Sequence, residues 1–372
     1  MTDLAELHTR AAEALDITEP WVRRAFEAVP RHEFVPGTVW VVDDGVYRPL
    51  HRADDPDRWA RMVYDPAQAI ATQVDDGAPA LAGGDVPTSS ISAPTAVVTM
   101  LAELDLRPGH GVLEIGAGTG YNAALLAERA GAERVTTLDI DPDVADGARA
   151  ALHRAGYGGV TVLEADGEQG WRRGAPYDRL VATASVTSIP WAWAEQVRPG
   201  GLILAPFRTA FCSHGLARLT VSEGRAEGRF AGALTFMAMR GQRTRPRIDG
   251  LFSTESWEES RESKADLDLA VLADPHAEFA VGLRLADVVH WAQDGGHWWC
   301  GRDSWAYAAD GADGTVHQWG PRDLADETAE ALAWWEGAGR PELFDFGLTV
   351  TADGHHRVWL GDPSAAWPLP AA

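Results

Sequence analysis

Val112-Leu113-Glu114-Ile115-Gly116-Ala117-Gly118-Thr119-Gly120-Tyr121 decides how this chain is read. A short apolar run meets a turn with glycine at every second position, and the residues from Tyr121 to Ala130 then keep helical spacing. Glycine permits a tight turn and lets the backbone approach a ligand closely. A dinucleotide-binding turn would place its third glycine at position 121, where this chain has Tyr121. Here the spacing is Gly-x-Gly-x-Gly, with Glu114 two positions before the first glycine. A carboxylate beside the turn repels a pyrophosphate and attracts a cation.

S-adenosylmethionine meets that requirement, because it carries an ammonium and a sulfonium and no phosphate. Downstream, Asp139 ends the next apolar run, where an acidic residue can bind both ribose hydroxyls, and Asp166-Gly167 follows the third run, placed to contact adenine. The expected cofactor-binding residues are therefore Glu114, Gly116, Gly118, Gly120, Asp139, Asp166 and Gly167.

Around this motif, apolar runs alternate with helical periods. Strands are expected at Val112 to Ile115, Val135 to Ile140, Val160 to Glu164, Arg179 to Thr183 and Leu202 to Pro206; helices at Tyr121 to Ala130, Val144 to Ala155 and Trp191 to Val197. Such alternation predicts an α/β fold, a mostly parallel sheet with helices on both faces. Arg218 to Val221 and Ala233 to Met239, joined through Ser222-Glu223-Gly224, read as a closing antiparallel pair. Upstream, Leu4 to Val29 predicts one or two helices ending before Pro30, and 37–88 reads as a loop-rich insertion with short strands.

At 372 residues the chain has room for two domains at roughly 150 residues each. Tryptophan marks the division: of 16, ten follow Arg240. We expect a catalytic domain over 1–241 and a Trp-rich α+β accessory domain over 242–372, with helices near Phe279 to Trp291 and Asp323 to Gly337 and turns at Asp310-Gly311 and Asp353-Gly354. The balance of 32 basic and 55 acidic residues gives −23, the wrong sign for a nucleic-acid partner. Two cysteines cannot form a disulfide framework. The start lacks the pattern of a signal peptide, and no apolar run approaches the roughly eighteen residues of a membrane span, so a cytoplasmic protein is expected.

With these elements in place, the chain resembles the protein L-isoaspartyl O-methyltransferase family. Pro30-Arg31-His32-Glu33-Phe34-Val35-Pro36, Ser90-Ile91-Ser92-Ala93-Pro94, the glycine turn, Ala165-Asp166-Gly167, Ala175-Pro176-Tyr177-Asp178 and Arg198-Pro199-Gly200-Gly201 carry the resemblance, over about Leu4 to Gly241. It implies a Rossmann-like class I methyltransferase sheet and O-methylation of an aspartyl or isoaspartyl carboxylate, leading to succinimide. It also makes Ser92 the residue facing the substrate carboxylate, with Ser90 at the preceding hydroxyl position. The long stretch between Val35 and Ser90, the Trp-rich extension and Ala184-Ser185-Val186-Thr187 depart from the repair enzyme. The first two resemble variants that accompany ribosomally made modified peptides such as lanthipeptides, graspetides and lasso peptides. A peptide substrate is expected, with general protein repair and non-catalytic peptide binding as alternatives.

Arg243, Arg245 and Arg247 are candidates for a local positive region that would draw in an acidic peptide. His297, Cys300, His355 and His356 complete no four-ligand pattern, so no metal is expected. His32 reads as structural. Trp298-Trp299 and Trp334-Trp335 read as core packing, with an aromatic peptide platform as the alternative.

Overall fold

The computed structural model describes residues 3–80, 83–243, 248–265, 267–293, 295–311 and 314–371. They form two compact units: 1–184 with 190–205 and 218–226, and 185–189 with 206–217 and 227–372. The sequence reading places a single boundary near Gly241, whereas the second unit also takes in these earlier pieces.

In the first unit, α1 (Leu4–Ala14) starts at Asp3, whose carboxylate accepts from the Ala5 and Glu6 amides. Helix α2 (Pro20–Ala28) buries Trp21, Val22, Ala25 and Phe26 along one face. The stretch expected to be loop-rich is instead a small sheet with a helix. It contains β1 (Thr38–Asp43), β2 (Val46–His51), α3 (Pro56–Val63), β3 (Ile70–Val74) and β4 (Pro87–Ile91), in the order β2-β1-β3-β4 with antiparallel pairing. The hairpin between β1 and β2 turns on Asp44 and Gly45, both with positive φ (51° and 75°), the Asp-Gly turn that matches strand twist.

The α/β core follows as α4 (Pro94–Glu103), β5 (Val112–Ile115), α5 (Tyr121–Ala130), β6 (Val135–Asp139), α6 (Pro142–Arg154), β7 (Thr161–Glu164), β8 (Tyr177–Ala182), α7 (Trp191–Gln196) and β9 (Val197–Pro206). Five strands pair in parallel in the order β9-β8-β5-β6-β7. All four residues of β5 are buried, as a parallel strand covered on both faces requires. Strand β10 (Leu216–Ser222) turns through Glu223-Gly224 into β11 (Arg225–Phe230). The partner expected at Ala233 to Met239 makes only isolated bridges, at Thr235 and Ala238.

The second unit holds α8 (Thr254–Glu258), β12 (Arg261–Lys264), α9 (Pro275–Gly282), β13 (Val289–Gln293), β14 (Gly296–Cys300), β15 (Trp305–Ala309), β16 (Thr315–Trp319), α10 (Leu324–Gly337), β17 (Phe346–Thr351), β18 (His356–Leu360) and β19 (Trp367–Pro368). Strands β12-β16-β15-β14-β13 form an antiparallel sheet, and β17, β18 and β19 run as a meander. Each tryptophan pair splits: Trp299 and Trp335 are buried, while Trp298 and Trp334 are half-buried. Among the described residues, no helix is long and apolar enough to cross a membrane.

Buried Arg31 ties the first unit together. Its guanidinium donates to the carbonyls of Val63 (2.8 Å) and Ser92 (2.6 Å) and lies 5.6 Å from the Tyr121 ring centroid. Burial lowers its pKa to about 10, so it stays cationic at neutral pH. Replacement by alanine strands buried carbonyls on two segments at once. Arg31→Ala is expected to lose about 2–4 kcal/mol in urea unfolding, with Arg31→Lys restoring only part, because one ammonium lacks the planar fork.

Candidate functional site

Loops leaving the carboxyl ends of β5, β6 and β7 bring most of the expected cofactor residues together, as open α/β sheets do. The Gly116 and Ala117 amides both donate to Leu138 O at 2.8 Å, pinning the glycine turn to the end of β6. Gly116 has φ +95°, and a Cβ there would lie 2.6 Å from Thr183 Oγ1. Gly118 has φ +52°, and a Cβ there would lie 3.3 Å from the Ser90 carbonyl oxygen. That second approach brings the end of β4, with the expected substrate serine, against the turn.

Asp139 sits beside it with both carboxylate oxygens oriented by backbone: Oδ2 accepts from the Gly118 amide (3.0 Å) and Oδ1 from the Asp141 amide (3.1 Å). The next residue, Ile140, is an exposed large apolar side chain, 42% accessible, which the sequence reading left out of the site. On the neighbouring strand, the Ala165 amide donates to Asp139 O at 2.8 Å. Asp166 is exposed and accepts from the Glu168 amide at 3.0 Å, while Gly167 O accepts from the Trp193 indole at 2.8 Å.

Glu114 occupies a different setting from the one expected. Its carboxyl is fully buried beneath the turn, with Oε1 accepting from the Asn122 amide at 2.7 Å and Oε2 lacking a hydrogen-bond partner. Burial pushes its pKa up to about 7, against which the Thr137 hydroxyl and then the Asn122 amide act. The left-handed cradle and the oriented Asp139 suit a nucleoside, and the buried Glu114 carboxyl, once ionised, suits a cation.

Ser90 and Ser92 are both half-buried, and neither hydroxyl has a hydrogen-bond partner among the described residues. Their backbone is held from two sides. Arg31 grips Ser92 O, and Thr88 Oγ1 donates to Gln73 Oε1 (2.8 Å) while Gln73 Nε2 donates to Asp141 Oδ2 (3.1 Å). Arg31 and Gln73 are therefore positioning residues whose roles no local pattern announces, since their partners are far along the chain. His32 Nδ1 bonds the Tyr64 hydroxyl, in keeping with a structural residue.

The remaining candidates lie apart. Arg243 belongs to the second unit, and Arg245 and Arg247 fall outside the described residues. Ser185, also in the second unit, donates from its hydroxyl to Phe236 O at 2.9 Å, so that loop is built into the fold. His297, Cys300, His355 and His356 share no common point among the described residues; His297 instead meets His290 (2.9 Å).

The buried Glu114 has a measurable signature. The folded carboxyl keeps its proton up to about pH 7 and the unfolded one releases it near 4.5, so the folded state binds the extra proton in that window. Its contribution to stability is greatest below the lower value and declines as pH rises through the upper one, by about 3 kcal/mol in all. Glu114→Gln is expected to remove this decline, gaining about that much over the unaltered chain between pH 5 and pH 8 in urea unfolding.

The family model for protein-L-isoaspartate(D-aspartate) O-methyltransferase matches residues 61–240. The chain is similar to the protein-L-isoaspartate O-methyltransferase of Methanoculleus marisnigri, 42% identical over 153 residues, 41% of this chain and 68% of that one. It is similar also to that of Hyperthermus butylicus, 37% identical over 162 residues, covering 41% and 67%. A solved structure titled protein-L-isoaspartate O-methyltransferase shares the fold with TM-score 0.54 at 17% identity, over 97% of this chain and 100% of that chain. This likeness in fold runs past Gly241, where the sequence reading ends the resemblance. The cofactor is S-adenosylmethionine. With two relatives above 30% identity matched over two thirds of their length, the chain belongs to the protein-L-isoaspartate O-methyltransferase family.

Proposed function

We propose that the chain esterifies an aspartyl or isoaspartyl carboxylate in a ribosomally made, modified peptide, and that the ester closes to an aspartimide. The observation that carries the reading is the approach of Ser90 O to Gly118, with two unpartnered serine hydroxyls on the same segment. S-adenosylmethionine supplies a methyl group on a positively charged sulfur. The backbone of 116–120, Glu114, Asp139, Ile140, Asp166 and Gly167 would hold it, Ile140 offering an apolar surface to the adenine. The hydroxyls of Ser92 and Ser90 would donate to the substrate carboxylate.

An aspartate, with pKa about 3.9, is already unprotonated at neutral pH, so this chain need not supply a general base. Its contribution is positioning, worth roughly 7–11 kcal/mol in well-oriented reactions. In the ester, the next backbone nitrogen attacks the carbonyl carbon and methanol leaves, closing the five-membered ring. A conformationally constrained peptide would keep that ring; a flexible one would hydrolyse it to Asp and isoAsp.

General repair of damaged proteins is the second reading, favoured by the similarity to the two relatives above. Mass spectrometry separates the two. With S-adenosylmethionine, the product of the neighbouring biosynthetic enzymes is expected to gain one methylene mass and then lose methanol, while an unrelated isoaspartyl peptide stays unchanged. Turnover of the isoaspartyl peptide alone would favour repair. Under either reading, Ser92→Ala is expected to lower kcat/KM about tenfold to a hundredfold, with donor affinity retained, through loss of a hydrogen bond to a charged group.

A further inference from the structure

Within the second unit, three side chains that the methyltransferase reading does not use converge. Cys212 is buried, His214 has an 11% exposed side chain, and Glu278, on α9, is 30% exposed. Cys212 Sγ lies 3.5 Å from His214 Nδ1, and Glu278 Oε2 lies 3.5 Å from the same nitrogen. All three ligand atoms fall within 4.8 Å of one another.

The orientation of His214 separates the possible roles. Its Nε2 is 2.9 Å from Pro275 O, a carbonyl that can only accept, so Nε2 carries a proton, and in the neutral ring Nδ1 presents its lone pair to the cluster. A nucleophilic triad would need the thiol and the acid on opposite ring nitrogens. Here both face Nδ1. Neutral imidazole with its far N–H fixed by a carbonyl is the arrangement of a histidine that ligates metal.

The spacing agrees. Ligands at roughly 2.0–2.3 Å from a tetrahedral ion stand about 3.3–3.6 Å apart, the separation of the two measured pairs. We infer that Cys212, His214 and Glu278 form a site for a single borderline-soft divalent cation, zinc by preference, with water as the fourth ligand. A thiolate and a carboxylate balance the charge of the ion and the imidazole stays neutral. On binding, the thiol proton, which lies toward His214 O in the metal-free chain (Sγ to O 3.3 Å), goes to solvent. Burial first, and then Glu278, push the Cys212 thiol pKa up, and the Arg208 guanidinium only partly offsets them.

The site pins 206–217 to α9. Gly282, on the same helix, supports the approach: a Cβ there would come within 3.0 Å of Cys212 Cβ. The role is structural, and it is independent of the proposed methyl-transfer reading.

The test uses the full chain, stripped with a chelator and titrated with zinc or cobalt. One ion per chain is expected, with a rise in Tm on zinc addition and thiolate-to-cobalt charge-transfer absorption with cobalt. In Cys212→Ser the absorption and the Tm rise should both vanish while S-adenosylmethionine binding, read by calorimetry, persists. Should the serine variant misfold, Glu278→Gln, an isostere at a partly exposed position, carries the comparison and should weaken zinc binding. Failure of the folded, stripped chain to take up stoichiometric zinc would overturn the site, as would undiminished binding by either variant.

Discussion

No side chain fits easily between Gly118 and the carbonyl of Ser90, and the arrangement of the first unit depends on that approach. The turn proposed to hold the nucleoside lies against the segment bearing the two serine hydroxyls, so the proposed donor and acceptor sites meet at a backbone contact. Nearly everything nearby serves to keep it. Leu138 O fixes the turn from below, Asp139 fixes Gly118 from the side, and Gln73 bridges the small sheet to the start of α6. Van der Waals exclusion, which falls off steeply, tolerates little displacement, so the glycine is set by space as much as by its φ.

The parallel core was legible because its strands contain short apolar runs, those of β5 and β6 closed by Gly116 and Asp139, a local signal. Glycine spacing, Glu114 and Asp139 were legible for the same reason. The small sheet was not. Its strands carry Pro49, Pro87 and several polar residues, and their pairing joins positions as far apart as Trp40 and Ala71. Short strands were expected there, but not their pairing into one sheet. Likewise Ala233 to Met239 has the alternation of a strand, yet β10 pairs through the shorter turn with Arg225–Phe230, and the nearer partner wins.

Burial is what the sequence least reveals. Glu114 reads as a carboxylate beside the turn that attracts a cation, but it lies within a strand covered on both faces, where desolvation outweighs the field of any one neighbour. The tryptophan pairs teach the same point. Alternation in a strand, or the turn of a helix, sends one ring inward and leaves its neighbour part-exposed, so packing and surface readings each apply to half of every pair. Cys212 and His214 escape a search for ligand spacing because their third partner, Glu278, lies more than sixty residues away on a helix.

The Arg31 clamp has a bearing on how the chain comes to be active at all. Its two closest carbonyl partners lie 32 and 61 residues downstream, so the guanidinium is satisfied only after both loops have closed. Loop closure costs entropy before any contact rewards it, and the clamp therefore belongs to the late, cooperative part of the assembly of the first unit. A nascent chain cannot own a half-built pocket: until the strand carrying Ser90 has arrived, the arginine holds Val63 without its Ser92 partner.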